Sequence, residues 1–233
     1  MSLFKVNCHS HTRYSDGANT LKEMALEAQR LGHCCHVVTD HYYNSKDPES
    51  TWCSLTLEKY MRLYREAQEL EQELQFPIII GVESGFDRSE EINVFGHEAI
   101  LFLFSAKEND YKVWKHMRDN YECACILNHP GLHNFEAKRG PEIIDGYEYA
   151  NSGYIFFTKR SLPEYLQDKN PFSNSDAHGV NSLATAHNLI DVEIKTETDL
   201  IRMIRRGPEK LVMQNPNLPA HIIDRDDIQR KNQ

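Results

Sequence analysis

The chain has 233 residues with 40% hydrophobic content, which suits one domain of barrel or doubly wound size. Its net charge of -9 argues against wrapping a long nucleic acid, because such binding relies on basic patches, but it allows a small anionic substrate where bound cations reverse the local sign. No apolar run reaches the ~18 residues a membrane span needs, and no basic stretch followed by an apolar one opens the chain, so the sequence predicts a cytoplasmic protein without a membrane segment.

The run Phe4 to Cys8 is β-rich and leads into His9-Ser10-His11. If the strand continues, both imidazoles point to one face, roughly 6–7 Å apart at the Cα atoms, a span that two ring nitrogens can close onto one ion. Taken alone, the motif reads equally well as a surface pair before the polar turn Ser15-Asp16-Gly17. Thr20-Leu21-Lys22-Glu23 is a capping box, and Leu21, Met24, Ala25, Ala28 and Leu31 keep helical spacing up to Gly32. His36 to Thr39 predicts a buried strand that runs straight into Asp40-His41. Residues 42–55, with Pro48 and Trp52, read as a lid or substrate loop. A helix follows from about Thr56 to Leu74, with Tyr60, Leu63, Ala67, Leu70 and Leu74 as its inner stripe.

Pro77 to Gly81 is an aliphatic strand closed by Val82-Glu83, and a Glu there is costly to bury unpaired. Residues 84–95 read as a polar connection, followed by Gly96-His97 and the apolar run Ala99 to Phe104. Residues 110–120 predict a helix, and Cys123 to Leu127 a strand that ends in Asn128-His129-Pro130-Gly131. Gly146 to Asn151 is a further strand, residues 158–168 are weakly helical, and Pro171 to Asn174 leads to Ser175-Asp176-Ala177-His178-Gly179. Asn188 to Ile194 reads as a strand and Thr196 to Arg206 as a capped helix. The chain beyond about 208 reads as a polar tail of the same single domain, residues 1–233. Six cysteines without a C-x-x-C pair read as reduced, mostly buried thiols.

Strands alternating with helices imply a mainly parallel sheet, and functional groups at the strand ends favour a closed barrel with its chemistry on one rim. The set His9-Ser10-His11, Ser15-Asp16-Gly17, Thr39-Asp40-His41, Gly81-Val82-Glu83, Gly96-His97, Asn128-His129-Pro130 and Ser175-Asp176-Ala177-His178 resembles the PHP (polymerase and histidinol phosphatase) family over residues 4 to about 207. The resemblance implies an α/β fold, a distorted seven-stranded (β/α) barrel of the TIM-barrel type, with a trinuclear metal centre. It implies that His9, His11, Glu83 and Asp176 hold one metal, that Glu83 bridges to a second held by His97 and His129, and that Asp16, His41 and His178 hold the third. His33, His36, His116, His133, His187 and His221 lie off this pattern and read as surface or core histidines.

Nitrogen and oxygen donors without thiolate suit Zn, Mn or Fe. Two metals that share Glu83 lower the pKa of a shared water and supply hydroxide at neutral pH, with Asp176 placed to relay a proton. A phosphoryl group wants a guanidinium or ammonium partner; Arg160 is the first choice among Arg13, Arg88, Lys138, Arg139, Lys159 and Arg160. Glu148 and Asn151 end a strand on the same rim, where they either orient ligands or only pack. The leading expectation is a phosphoesterase that releases phosphate from a small phosphorylated metabolite, histidinol phosphate-like or nucleotide. The alternatives are a metal-dependent amide or lactone hydrolase, which the same hydroxide would serve, and a non-catalytic PHP regulatory module.

Overall fold

The computed structural model describes residues 2–43, 53–85, 91–107, 110–130, 142–152, 154–156, 162–214 and 219–229. In chain order these form β1 (Phe4–Val6), α1 (Leu21–Arg30), β2 (His36–Val38), β3 (His41–Tyr43), α2 (Leu57–Leu74), β4 (Ile78–Ile80), β5 (Val82–Gly85), β6 (Glu91–Phe95), α3 (His97–Ser105) and α4 (Tyr111–Asn120). Then come β7 (Ala124–Leu127), β8 (Gly146–Asn151), β9 (Tyr154–Ile155), β10 (Asn170–Asn174), β11 (Ala186–Ile190), α5 (Glu197–Arg206), β12 (Lys210–Met213), β13 (His221–Asp224) and α6 (Arg225–Gln229).

The helices begin where side chains replace the missing backbone acceptors. Thr20 and Glu23 form a reciprocal capping box on α1, and Thr196 and Asp199 do the same on α5. Thr56 caps α2, whose Tyr60, Leu63, Ala67 and Leu70 are buried on the predicted stripe. α5 buries Leu200, Ile201, Met203 and Ile204, and each such side chain contributes about 1.5–3 kcal/mol on leaving water. They pack with Val6, Val37, Ile79, Phe95, Ile126 and Phe172 from the strands.

The fold is mixed α/β. A seven-stranded sheet has the order β10-β8-β7-β6-β5-β3 with β9 added to β8, β2 pairs with β4, and β1-β11-β12-β13 form a third sheet. Strand pairing therefore shows three ladders and not one closed seven-stranded sheet. Single bridges link them: Lys5 with His33, and Ser10 with Ala177, while Thr39 N donates to Ser10 O at 2.8 Å and Gly81 N to Val38 O at 2.8 Å. The sheet is not mainly parallel either, because β6 runs antiparallel to both β5 and β7.

β6 occupies residues expected to be a polar connection. Its Glu91 and Asn93 face the same side as Glu83, so polar residues line the interior and the strand's alternation mimics an exposed segment. The apolar run Ala99 to Phe104, in turn, is helical and lies in α3. The expected polar tail contains β12, whose Leu211, Val212 and Met213 are buried against β11, and β13, which pairs with β12. Residues 44–52 of the expected lid and residues 157–161 lie outside the described residues. None of the six cysteines forms a disulfide, and only Cys34 is more than slightly exposed. Among the described residues, no helix is long and apolar enough to cross a membrane.

His33, His36 and His187 are buried, whereas His116 and His221 are exposed. Burial lowers the His36 pKa to about 3, and burial followed by the nearby Lys5 lowers His187 to about 3. An unfolded histidine titrates near 6.5, so below that pH the unfolded chain binds protons that the folded one refuses. The associated stability is complete above 6.5 and is lost progressively as pH falls toward 3. With chelator present, the denaturant midpoint of His36→Leu will therefore fall less than that of the wild type, measured side by side, between pH 7.5 and pH 5. An unchanged pH slope in the variant would contradict the assignment.

Candidate metal centre

The strand-and-turn geometry at the end of β1 gathers the first ligands. His11 N donates to Ala177 O at 2.8 Å, and Ser10 Oγ donates to Val37 O at 2.7 Å, which fixes the H-x-H run between its two neighbours. Both imidazoles face inward, with Nε2 atoms 3.1 Å apart. The following turn is anchored on the buried Asp40. That carboxylate accepts from Thr12 N (2.7 Å), Thr12 Oγ1 (2.6 Å) and Ser15 Oγ (2.5 Å). Burial nevertheless raises the Asp40 pKa to about 6. At Gly17 a Cβ would sit 2.7 Å from the backbone of His11 and Thr12, so the turn that presents Asp16 closes only over a glycine.

Four side chains meet at the first position. His9 Nε2 lies 3.3 Å from Glu83 Oε1 and 3.3 Å from Asp176 Oδ1, and His11 Nε2 lies 3.5 Å from Glu83 Oε2 and 3.1 Å from Asp176 Oδ1. Four donors around one ion at metal–ligand distances near 2.1 Å stand roughly 3.3–3.6 Å apart in a tetrahedron. The observed spacing is therefore close to that of a ligand cage. His9 and His11 are fully buried and Glu83 is 1% exposed, and His11 Nδ1 is buried without a hydrogen-bond partner among the described residues.

A second group joins His11, Asp16, His41 and His178. Asp16 Oδ2 is 3.4 Å from His41 Nε2, and Asp16 Oδ1 is 3.3 Å from His178 Nε2. His41 Nδ1 is 2.7 Å from Glu83 Oε2, which leaves Nε2 to face Asp16. A third group shares Glu83: Glu83 Oε1 is 3.2 Å from His129 Nε2, which is 3.2 Å from Glu91 Oε2. Glu91 escaped the sequence reading because it stands in the segment taken as a connection; its alternation with Ile92, Asn93 and Val94 is the signal that could have found it.

Electrostatics in this cluster are extreme. Burial would raise the Glu83 carboxyl, but the His9 and His41 imidazoles hold it well below the usual range. Burial would lower His9 and His41, but the carboxylates around them raise both well above 6.5. His11 has fewer compensating contacts, and burial together with His41 lowers it to about 4. His129 is raised to about 9, burial being outweighed by Glu83 and Glu148.

Behind the cluster, the fully buried Glu148 accepts from His9 Nδ1 (2.8 Å), His129 N (2.8 Å), Asn151 Nδ2 (2.7 Å) and Asn174 Nδ2 (3.1 Å). This contact directs His9 Nε2 toward the cluster. His129 and Asp176 have positive φ of 27° and 50°, a left-handed conformation uncommon outside glycine and concentrated at functional sites.

Not every expected residue joins. His97 begins α3 away from the cluster, its Nδ1 2.9 Å from the Tyr60 hydroxyl and its ring stacked 4.1 Å from Tyr64. The Glu197 carboxylate, on α5, accepts from the backbone N–H groups of Gly96 and His97, so this corner ties α3 to α5. Asn93, which does face the interior, accepts from Asn128 Nδ2 at 2.9 Å and donates to Cys8 O at 3.2 Å. Arg88, Lys138, Arg139, Lys159, Arg160 and His133 lie outside the described residues. Arg13 is exposed and donates to Ala18 O.

Residues 7–161 match the family model for the PHP domain. No curated protein matches the sequence. Among solved structures, the chain is similar to a two-domain protein containing a predicted PHP-like metal-dependent phosphoesterase from Bacteroides vulgatus, with a TM-score of 0.62 and 14% identity, covering 99% of this chain and 69% of that one. It is similar to PsfC from Pseudomonas syringae, with a TM-score of 0.58 and 14% identity, covering 100% of this chain and 96% of that one. It is also similar to the lesion-specific endonuclease PfuEndoQ from Pyrococcus furiosus, with a TM-score of 0.61 and 15% identity, covering 93% of this chain and 60% of that one. At such identities these likenesses speak for the fold alone. The family match is of another kind: it spans most of the chain, from the first histidine pair through the strand that carries Glu148, and it shows that the chain belongs to the PHP family.

Proposed function

We propose that this chain is a metal-dependent phosphoesterase acting on a small phosphorylated metabolite, histidinol phosphate-like or nucleotide, with three divalent ions of Zn, Mn or Fe in its centre. The observation that carries the proposal is a charge imbalance. Asp16, Glu83, Glu91, Glu148 and Asp176 converge, and their ion-pair partners among the described residues are imidazoles. Buried carboxylates need cations, and neutral imidazoles with spare nitrogens are what divalent ions take as co-ligands. In this reading His9, His11, Glu83 and Asp176 hold one ion, Asp16, His41 and His178 another, and Glu83 with His129 a third. The three ladders, linked by the Ser10–Ala177 and Lys5–His33 bridges, then form one distorted barrel whose strand exits make the rim. Six cysteines without a disulfide fit a reducing compartment such as the cytoplasm.

Bound divalent ions supply Lewis acidity, lowering the pKa of water and drawing charge from phosphoryl oxygens. The chain's own residues set the geometry for that chemistry. Asp176 Oδ1 lies within 3.3 Å of His9 Nε2 and 3.1 Å of His11 Nε2, while Asn151 Nδ2 approaches its other oxygen at 3.4 Å. In this reading its second oxygen would accept a proton from the attacking water. Glu148 and Asn174 hold the His9 side of the centre, and Asp40 holds the turn that carries Asp16. An Arg160 guanidinium would offset charge on the transferred phosphoryl group.

Phosphate release from histidinol phosphate, nucleoside monophosphates or p-nitrophenyl phosphate with added Mn or Zn, without turnover of aryl esters, amides or lactones, is the expected outcome of a substrate panel. Acyl turnover without phosphate release would overturn the reading. Asp176→Asn will lower kcat by about 100-fold or more, since both a ligand and a proton acceptor are lost, with an unchanged far-UV circular dichroism spectrum. Near-normal kcat in that variant would place the chemistry elsewhere. Glu148→Gln will weaken metal affinity by about 10–100-fold, read by competition with a chromophoric chelator, because His9 loses its orienting carboxylate. Wild-type affinity would reduce Glu148 to a packing role.

A further inference from the structure

Glu91 is a carboxylate within ligand distance of Glu83 and His129 that the family pattern did not supply. In the β5–β6 register Glu83 stands opposite Asn93, and Gly85 stands opposite Glu91, so all these positions share one face. Gly85 is what makes room there: a Cβ at this position would meet Tyr43 Cε1 at 2.8 Å and Glu91 Cγ at 3.0 Å. Glu91 extends through that gap to bring Oε2 within 3.2 Å of His129 Nε2, and it is 6% exposed. Its backbone carbonyl accepts from Asn128 N at 2.9 Å, which ties β6 to the turn that carries His129. The Tyr43 hydroxyl donates to Glu91 Oε1 and lies 2.8 Å from His41 Nδ1. One phenol therefore joins the Glu91 carboxylate to the imidazole that faces Asp16.

The neighbouring candidates are committed elsewhere. Asn93 has both ends of its amide engaged by Asn128 and Cys8, and His97, beyond the C-terminal end of β6, is held by Tyr60 and Tyr64. Glu91, Glu83 and His41 also form a group whose ligand atoms lie within 4.8 Å of one another. Two buried carboxylates on one face, reaching toward the same imidazoles, call for a cation between them.

We infer that Glu91 is a metal ligand that completes the Glu83–His129 position in place of an imidazole, with Tyr43 as the residue that positions it. This rests on the metal-centre reading above. The resulting set of two carboxylates and one imidazole is harder than one with two imidazoles, and it tilts that position toward Mn or Fe and away from Zn.

The test is metal content after equilibrium dialysis against MnCl2 or ZnCl2, read by elemental analysis, for the full chain and four variants. Glu91→Ala and the isosteric Glu91→Gln are expected to bind one ion fewer than wild type, with unchanged circular dichroism. Tyr43→Phe is expected to keep the number of ions but to hold one of them about 10–100-fold more weakly. Glu91→His is expected to keep the number and to shift Mn/Zn competition toward Zn. Wild-type stoichiometry and affinities in both Glu91→Ala and Glu91→Gln would overturn the inference while leaving the centre intact. A wild-type chain that takes up no ion would instead overturn the centre itself, and Glu91 with it.

Discussion

Five carboxylates pointed at one small volume set the terms for everything around them. Glu83, Glu91 and Glu148 come from β5, β6 and β8 and Asp16 and Asp176 from turns, and the groups they meet among the described residues are histidines, amides, hydroxyls and backbone N–H groups. Left without cations, such a cluster repels itself and pulls protons onto the surrounding imidazoles, as the raised His9, His41 and His129 show. Divalent ions resolve both problems at once by taking the carboxylates and the imidazole lone pairs together. The metal centre is in this sense the missing positive charge of the fold.

The surrounding architecture serves that arrangement. Backbone bonds from Ser10 and Ala177 hold the first histidine pair, Glu148 orients His9, and Asp40 secures the turn above. The antiparallel β6 adds a polar interior face between β5 and β7, where a parallel strand would have entered the rim from the opposite direction. The left-handed residues His129 and Asp176 turn their side chains back toward the centre just as their strands end. Val6, Ile79, Phe95 and Ile126 pack with α5 in one buried apolar cluster that backs this polar layer.

Much of this was legible because it depends on local chemistry. Thr20 with Glu23 marked the start of α1, and the stripe from Tyr60 to Leu70 marked the buried face of α2. The two-residue spacing of His9 and His11 pointed to one shared face; β1 ends at Val6, yet beyond it, with a single bridge at Ser10, the two rings do turn together, their nitrogens 3.1 Å apart. What escaped was non-local. β6 carries its polar residues inward because they serve the site, and this inverts the usual sign of the pattern. Leu211, Val212 and Met213 are strand through pairing with β11 on one side and β13 on the other, and the β11 partner lies outside the tail. His97 matched a motif by its neighbours in sequence, but the helix that begins there turns its ring onto Tyr60 and Tyr64.

Anomalous diffraction from crystals soaked in manganese addresses the central claim most directly. The account predicts strong peaks inside the cluster, one between His9, His11, Glu83 and Asp176, one beside Asp16, His41 and His178, and one between Glu83 and His129. A map with no peak among these side chains, in crystals that diffract well and contain excess manganese, would contradict it.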